Sequence, residues 1–120
     1  MARFGDVVIP PEWEGKEKHV PHIVTPPKVK AGELFGVTVI VGKEIPHPNT
    51  IEHHIKWIQL YAKEEDGRPL VHVATIDLGP TYAAPKVTLP VILKSASTLY
   101  ALEYCNIHGV WDNSVAIAVE

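Results

Sequence analysis

The segment His47-Pro48-Asn49-Thr50-Ile51-Glu52-His53-His54 packs three imidazoles and a proline into one short stretch, a density that no folding requirement explains. Imidazole nitrogens are common metal donors, so the geometry that could bring two of them together is the first question. As one extended strand, the stretch would hold His47 and His53 on one face but about 20 Å apart at ~3.3 Å per residue, too far for one ion. As a helix, six residues at about 100° each would turn the two rings to different sides. Pro48 fixes its own φ, Asn49 and Thr50 are turn and cap formers, and Glu52 can open a single helical turn. The composition therefore favours a fold-back that joins His47 to His53, which is a metal-site signature.

A second signal lies far downstream in Cys105-Asn106-Ile107-His108-Gly109. A thiolate and an imidazole with two residues between them can close on one metal around a tight turn, and Gly109 supplies the backbone freedom to leave it. Cys105 is the only cysteine in the chain. Glu17-Lys18-His19-Val20-Pro21 adds a further imidazole with a carboxylate and an ammonium beside it. Spacing alone takes these segments as far as an open mononuclear metal site, and it does not say which of His53 and His54 faces the metal.

Together the three segments resemble the iron site of the superoxide reductases, the family of desulfoferrodoxin and neelaredoxin. The resemblance is carried by Glu17-Lys18-His19-Val20-Pro21, by Gly42-Lys43-Glu44-Ile45-Pro46 running into the histidine segment, and by Tyr104-Cys105-Asn106-Ile107-His108-Gly109 with Trp111 following. These motifs fall in the family's order. The resemblance implies His19, His47, His53 and His108 as four equatorial nitrogen ligands and Cys105 as the axial sulfur. Five protein ligands exceed the four that close a structural zinc site, and a nitrogen-rich plane with one thiolate suits iron, with a sixth position left for substrate.

The activity this implies is one-electron reduction of superoxide to hydrogen peroxide by a mononuclear iron cycling between Fe2+ and Fe3+, with electrons from an external carrier such as rubredoxin. It also implies an immunoglobulin-like fold and a homotetramer. In the same reading Lys18 draws the superoxide anion in, and Glu17 swings onto the oxidised iron to fill the sixth position. His22, His54 and His72 are read as structural or surface histidines. The stretch from about Asp66 to Lys94 carries nothing diagnostic and is shorter than the family leads one to expect. No Cys-x-x-Cys pair occurs, so the additional four-cysteine iron domain of some relatives is not expected here.

Two readings of other classes compete. A cupredoxin-like electron carrier is also a β-sandwich with late Cys and His, but its copper site usually takes two histidines and an axial methionine, and Met1 is the sole methionine. A non-catalytic immunoglobulin-like binding module would hold a structural metal.

Bulk properties bound these readings. At 120 residues the chain is expected to form one domain, 1–120, with an irregular arm over about 1–16. A formal charge of −3 and the lack of any Lys/Arg run give no surface for nucleic acid, and leave an anionic substrate in need of local positive charge. No apolar run approaches the ~20 residues of a membrane span. One cysteine permits no internal disulfide and nothing resembles a signal peptide, so the expected compartment is the cytoplasm. Scarce Asn and Gln beside 11 prolines lean towards a thermophile.

The elements that must position the site read as short strands. Pro21, Pro26 and Pro27 allow at most an edge strand around His22-Ile23-Val24. Leu34 to Val41 is a β-branched strand with Phe35, Val37, Val39 and Val41 on one face. Ile55 to Ala62 sets Ile55, Trp57, Gln59 and Tyr61 opposite Lys56, Ile58, Leu60 and Ala62, and Glu64-Glu65-Asp66-Gly67 then turns the chain. Leu70 to Leu78 alternates through Val71, Val73, Thr75 and Asp77. Lys86 to Lys94, interrupted by Pro90, suits an edge, and Thr98 to Cys105 follows. Asp112-Asn113 is read as a turn into a last strand, Ser114 to Val119. About seven short strands without a helical period predict an all-β, antiparallel β-sandwich.

Overall fold

The computed structural model describes residues 2–120. Two sheets enclose one apolar core. The smaller places β1 (Pro21–Val24), β3 (Phe35–Val41) and β6 (Lys86–Val91) side by side in that order. The larger runs through β2 (Lys28–Val29), β8 (Gly109–Val119), β7 (Ser97–Cys105), β4 (Ile55–Glu64) and β5 (Val71–Asp77). All pairings between strands are antiparallel except that of β2 with β8, so the expected sandwich is the observed one.

Alternation explains the core. Val37, Val39 and Val41 of β3 meet Ile58, Leu60 and Ala62 of β4, Leu99 and Ala101 of β7, and Ile117 of β8. Burying each of the valine, leucine and isoleucine side chains stabilises the fold by about 1.5–3 kcal/mol. Pro21 to Val24 and Pro90 lie on the two edge strands of the small sheet, where a missing N–H costs no ladder bond.

Three departures from the expected pattern follow from local geometry. Ile55 is buried with Ile58, not on the opposite face, because the β4–β7 register shifts between Ile55 and Trp57 and flips one residue inward. A similar shift between Leu60 and Tyr61 interrupts the alternation of β5 at Val73. Asp112 and Asn113 are not a turn: β8 runs straight through them, pairing with Leu102 and Ala101, since the reversal is completed at Asn106–His108, where Gly109 takes φ 88°. The short parallel strand Lys28–Val29 was not expected, because the two prolines just before it mask it.

The arm holds a helical turn, α1 (Phe4–Val7), and a 3-10 turn (Pro11–Trp13). Its attachment is a backbone bridge to β8, with Ile9 N–H donating to the Val110 carbonyl at 3.0 Å and Asp112 N–H to the Ile9 carbonyl at 3.1 Å. This places Glu14 to Val20 beside the end of the larger sheet where β7 turns into β8.

Glu103 breaks the apolar rule on β7. It is fully buried, and neither carboxyl oxygen has a hydrogen-bond partner among the described residues. Burial, reinforced by the nearby Glu14 charge, pushes its carboxyl from 4.5 up to about 9. The folded chain therefore keeps a proton that the unfolded chain releases, and this contribution is fully present below pH 4.5 and is lost as pH rises towards 9. Glu103→Gln, which never ionises, should gain stability over the parent as pH rises from 4.5, on the order of 3 kcal/mol by pH 7. Urea unfolding of the metal-free proteins between pH 4 and 8 measures the gap. A gap constant with pH would show that Glu103 is ionised in the fold.

Candidate metal centre

Three loops reach the same end of the sandwich, and each is shaped by its own residues. In the first, Glu14 Oε2 accepts the backbone N–H groups of His19 at 2.9 Å and Val20 at 2.6 Å. The His19 ring then stacks on Trp111, centroids 4.8 Å apart and planes 11° from parallel. Trp111 Nε1–H donates to the His108 carbonyl at 3.2 Å, which ties this loop to the third.

The second loop is the histidine segment, and it folds back. Gly42 leads into it at φ 80°, and a Cβ there would stand 2.6 Å from the His47 backbone nitrogen, so only glycine fits. His47 Nδ1–H donates to the Pro48 carbonyl at 2.7 Å, which leaves Nε2 as the free lone pair. Thr50 N–H donates to the His53 carbonyl at 2.8 Å, and His53 N–H to Thr50 Oγ1 at 3.0 Å, closing the turn that neither a strand nor a helix allows. Asn49 braces the loop from outside, accepting Thr81 N–H at 2.9 Å and donating to the Ala83 carbonyl at 3.4 Å.

The third loop follows Cys105. Asn106 grips the second loop: its Oδ1 accepts His54 N–H and its Nδ2 donates to the Glu52 carbonyl, both at 2.9 Å. His108 N–H reaches Cys105 Sγ at 3.4 Å.

The result is a closed ring of imidazoles. His19, His47, His53 and His108 follow one another with centroids 5.0, 4.7, 5.1 and 4.8 Å apart, each pair edge-on at 66° to 81°. Glu17 Oε1 sits among them, 2.9 Å from His19 Nε2, 3.3 Å from His47 Nε2, 2.9 Å from His53 Nε2 and 3.1 Å from His108 Nδ1. Cys105 Sγ lies 3.7 Å from both His47 Nε2 and His108 Nδ1. The donor atoms of Glu17, His19, His47, His53 and Cys105 are all within 4.8 Å of one another.

Between the two adjacent histidines, the structure turns His53 into this ring. The buried His54 instead sets Nδ1 against the Thr50 carbonyl at 3.0 Å. The exposed His22 and His72 contact Lys43 and Thr75, away from the cluster. Lys18 is not in the ring either. Its ammonium contacts the Gly15 carbonyl at 3.2 Å and Glu14 Oε1 at 3.8 Å.

The electrostatics prepare the donors. Burial holds His19 and His47 below the ordinary histidine range, so both rings present neutral nitrogens at neutral pH. Burial pushes the Cys105 thiol up, partly offset by the backbone N–H groups of His108 and Ile107. Burial also raises Glu17, but the four histidines, His53 foremost, together pull it below the usual carboxylate range. Glu17 Oε1 and His53 Nε2 are buried without hydrogen-bond partners. A cation satisfies such orphaned donors, and four imidazoles, a thiolate and a carboxylate are a set that iron takes readily.

Reading motifs alone passed over Glu14, Asn49 and Asn106, which touch no metal. Asn106 sits inside a recognised motif and Asn49 was legible only as a turn former, while Glu14 shows no signal before the loops are folded.

Comparison with known proteins agrees with this geometry. The family model described as Desulfoferrodoxin matches residues 12–114. A putative superoxide reductase of Thermotoga maritima is 47% identical over 118 residues, covering 88% of this chain and 89% of its own. Neelaredoxin of Megalodesulfovibrio gigas is 40% identical, covering 91% and 92%. The solved superoxide reductase (neelaredoxin) of Ignicoccus hospitalis superposes with a TM-score of 0.91 at 41% identity, over 99% of this chain and 100% of that one. With the matched model spanning the three ligand loops and most of both sheets, the chain belongs to the desulfoferrodoxin family.

Proposed function

We propose that this chain is a superoxide reductase, converting superoxide, one electron and two protons to hydrogen peroxide at a single iron held by His19, His47, His53, His108 and Cys105. The observation that carries the proposal is the closed square of four imidazole rings with a buried thiol beside it. A copper carrier would need fewer histidines and an axial methionine, and a structural zinc site would close with four ligands.

Iron held by these residues would supply one-electron redox chemistry, with the electron replaced from an outside donor. The chain supplies everything else. His47 is fixed in the tautomer that frees Nε2, and its neutral form, like that of His19, is secured by burial. The two N–H groups aimed at Cys105 favour its thiolate, whose electron density promotes transfer to substrate. Glu17 guards the exposed side of the ring and must move aside for superoxide to enter. Lys18, one residue on, gives an anion a cationic approach to a protein of net charge −3.

The electron donor is an external carrier of rubredoxin type. In support, the described residues hold one grouping of metal-type side chains and no Gly-rich nucleotide loop. The family resemblance supports a homotetramer, and the exposed or half-buried Trp57, Tyr61, Leu70 and Tyr100 on the outer face of the large sheet are suited to subunit contact. A single free cysteine suits the reducing cytoplasm, and the shared core of both sheets supports one domain over 1–120.

Product counting tests the activity. Mixing reduced protein with limiting superoxide should release about one hydrogen peroxide per superoxide consumed and no dioxygen. Half that yield with dioxygen evolution would identify dismutation instead. The ligand set is checked by metal content: His53→Gln should lose iron or shift the visible spectrum, whereas His54→Gln should keep roughly one iron per chain. Cys105→Ser should abolish the sulfur-to-iron charge-transfer band, and a band that survives would remove Cys105 from the set.

Steering is a separate expectation. Lys18→Ala should slow the second-order reaction with superoxide at low ionic strength, and the deficit should shrink as salt screens the charge. Stopped-flow rates equal to the parent's at every salt concentration would reject a steering role.

A further inference from the structure

The loop that delivers Glu17, Lys18 and His19 has no strand or helix of its own between the 3-10 turn and β1, so something else must fix its backbone. Two successive N–H groups, of His19 and Val20, converge on one oxygen, Glu14 Oε2, at 2.9 and 2.6 Å. The other oxygen, Oε1, stands 3.8 Å from Lys18 Nζ. Glu14 is itself seated by the 3-10 turn, its N–H donating to the Pro11 carbonyl at 3.1 Å.

We propose that Glu14 is a positioning residue with two separable tasks: Oε2 anchors the backbone of His19, and Oε1 restrains the Lys18 ammonium. Glu14 is outside the set of donor atoms that meet in the ring. A carboxylate accepting two N–H groups makes charge-assisted bonds about twice as strong as neutral ones. Without that acceptor the His19 and Val20 amides lose the carboxylate that holds them in a half-buried loop, and the His19 ring is left to its stack on Trp111 and its contacts with Glu17 and His108 to orient it. The Lys18 tether is weaker. At 3.8 Å and about a third exposed, it holds the ammonium against Glu14 only about two- to five-fold over free orientations. Glu14 thus fixes a ligand firmly and detains a steering charge loosely.

The amide-anchoring task stands on geometry alone; the Lys18 task rests on the superoxide reductase reading. Glu14→Gln keeps a carbonyl acceptor and loses the ion pair, whereas Glu14→Ala loses both, so the pair separates the two tasks. In metal-free protein, amide hydrogen exchange at His19 and Val20 should quicken about tenfold or more in Glu14→Ala and stay within about three-fold of the parent in Glu14→Gln. Unchanged exchange in Glu14→Ala would overturn the anchor. In iron-loaded protein at low salt, Glu14→Gln should react with superoxide about two- to five-fold faster, and the gain should vanish in the Lys18→Gln background. A gain that persists there reports only the removed negative charge, and no gain at all means no restraint; either outcome overturns the tether. Should the parent itself not react with superoxide, the functional reading fails while the exchange result still decides the anchor.

Discussion

Everything at the ligand end of this sandwich depends on crowding polar groups that only partly satisfy one another. Four imidazole nitrogens, a thiol and a carboxylate oxygen meet within a few ångströms, and Glu17 Oε1 and His53 Nε2 are buried without hydrogen-bond partners. Each orphaned group costs about 1–3 kcal/mol, so the three loops would spread apart if nothing else held them. A cation removes the cost, which makes metal binding and loop order one coupled process. The rest of the site can be understood as the means by which loops separated by up to 89 residues are kept together in the metal-free chain.

Those means are polar bonds between loops, not contacts with the donors themselves. Trp111 joins the first loop to the third by stacking on His19 and donating to the His108 carbonyl. Asn106 joins the third to the second through His54 and Glu52. Asn49 joins the second to the connection between β5 and β6. Thr81 takes φ 71° there, a left-handed conformation costly for a β-branched residue, and its N–H is the one that Asn49 captures. Strain at that turn is thus spent on bracing the histidine loop. The stretch from Asp66 to Lys94, which carries no motif, contributes this brace together with two strands.

How much could be read from the chain depends on whether the governing contact is local. The inward face of β3 follows from alternation alone, and the turn carrying His47 and His53 follows from Pro48, Asn49 and Thr50, whose preferences act over a few bonds. The side chains that meet in the ring are of chemically rare types, so type and motif pick them out even though the contacts they make are distant. Bulges at Ile55 and Val73 escaped notice because they answer to register with a neighbouring strand, which no period-2 count detects. Asp112 and Asn113 looked like a turn from composition, but β7 pairing and the Ile9 bridge hold them extended. Glu14 was invisible for a third reason: glutamate is common on surfaces, and only the folded loop shows two amides converging on it.

The asymmetry of the ring bears on how such a site survives its own product. Hydrogen peroxide oxidises accessible thiolates through sulfenic to irreversible acids. Cys105 is wholly buried, whereas the Glu17 side chain on the ring remains 36% exposed. The carboxylate side of the ring is therefore the side open to solvent, and the sulfur is closed off from it. A cation held there would take electron density from a sulfur that solvent does not reach. Burial of Cys105 opposes ionisation of the free thiol, so the same burial that protects the sulfur makes its thiolate form depend on the bound cation. Protection and reactivity are thus set by one structural choice, the placement of Cys105 at the inner end of β7, where the strand's alternation points it into the core.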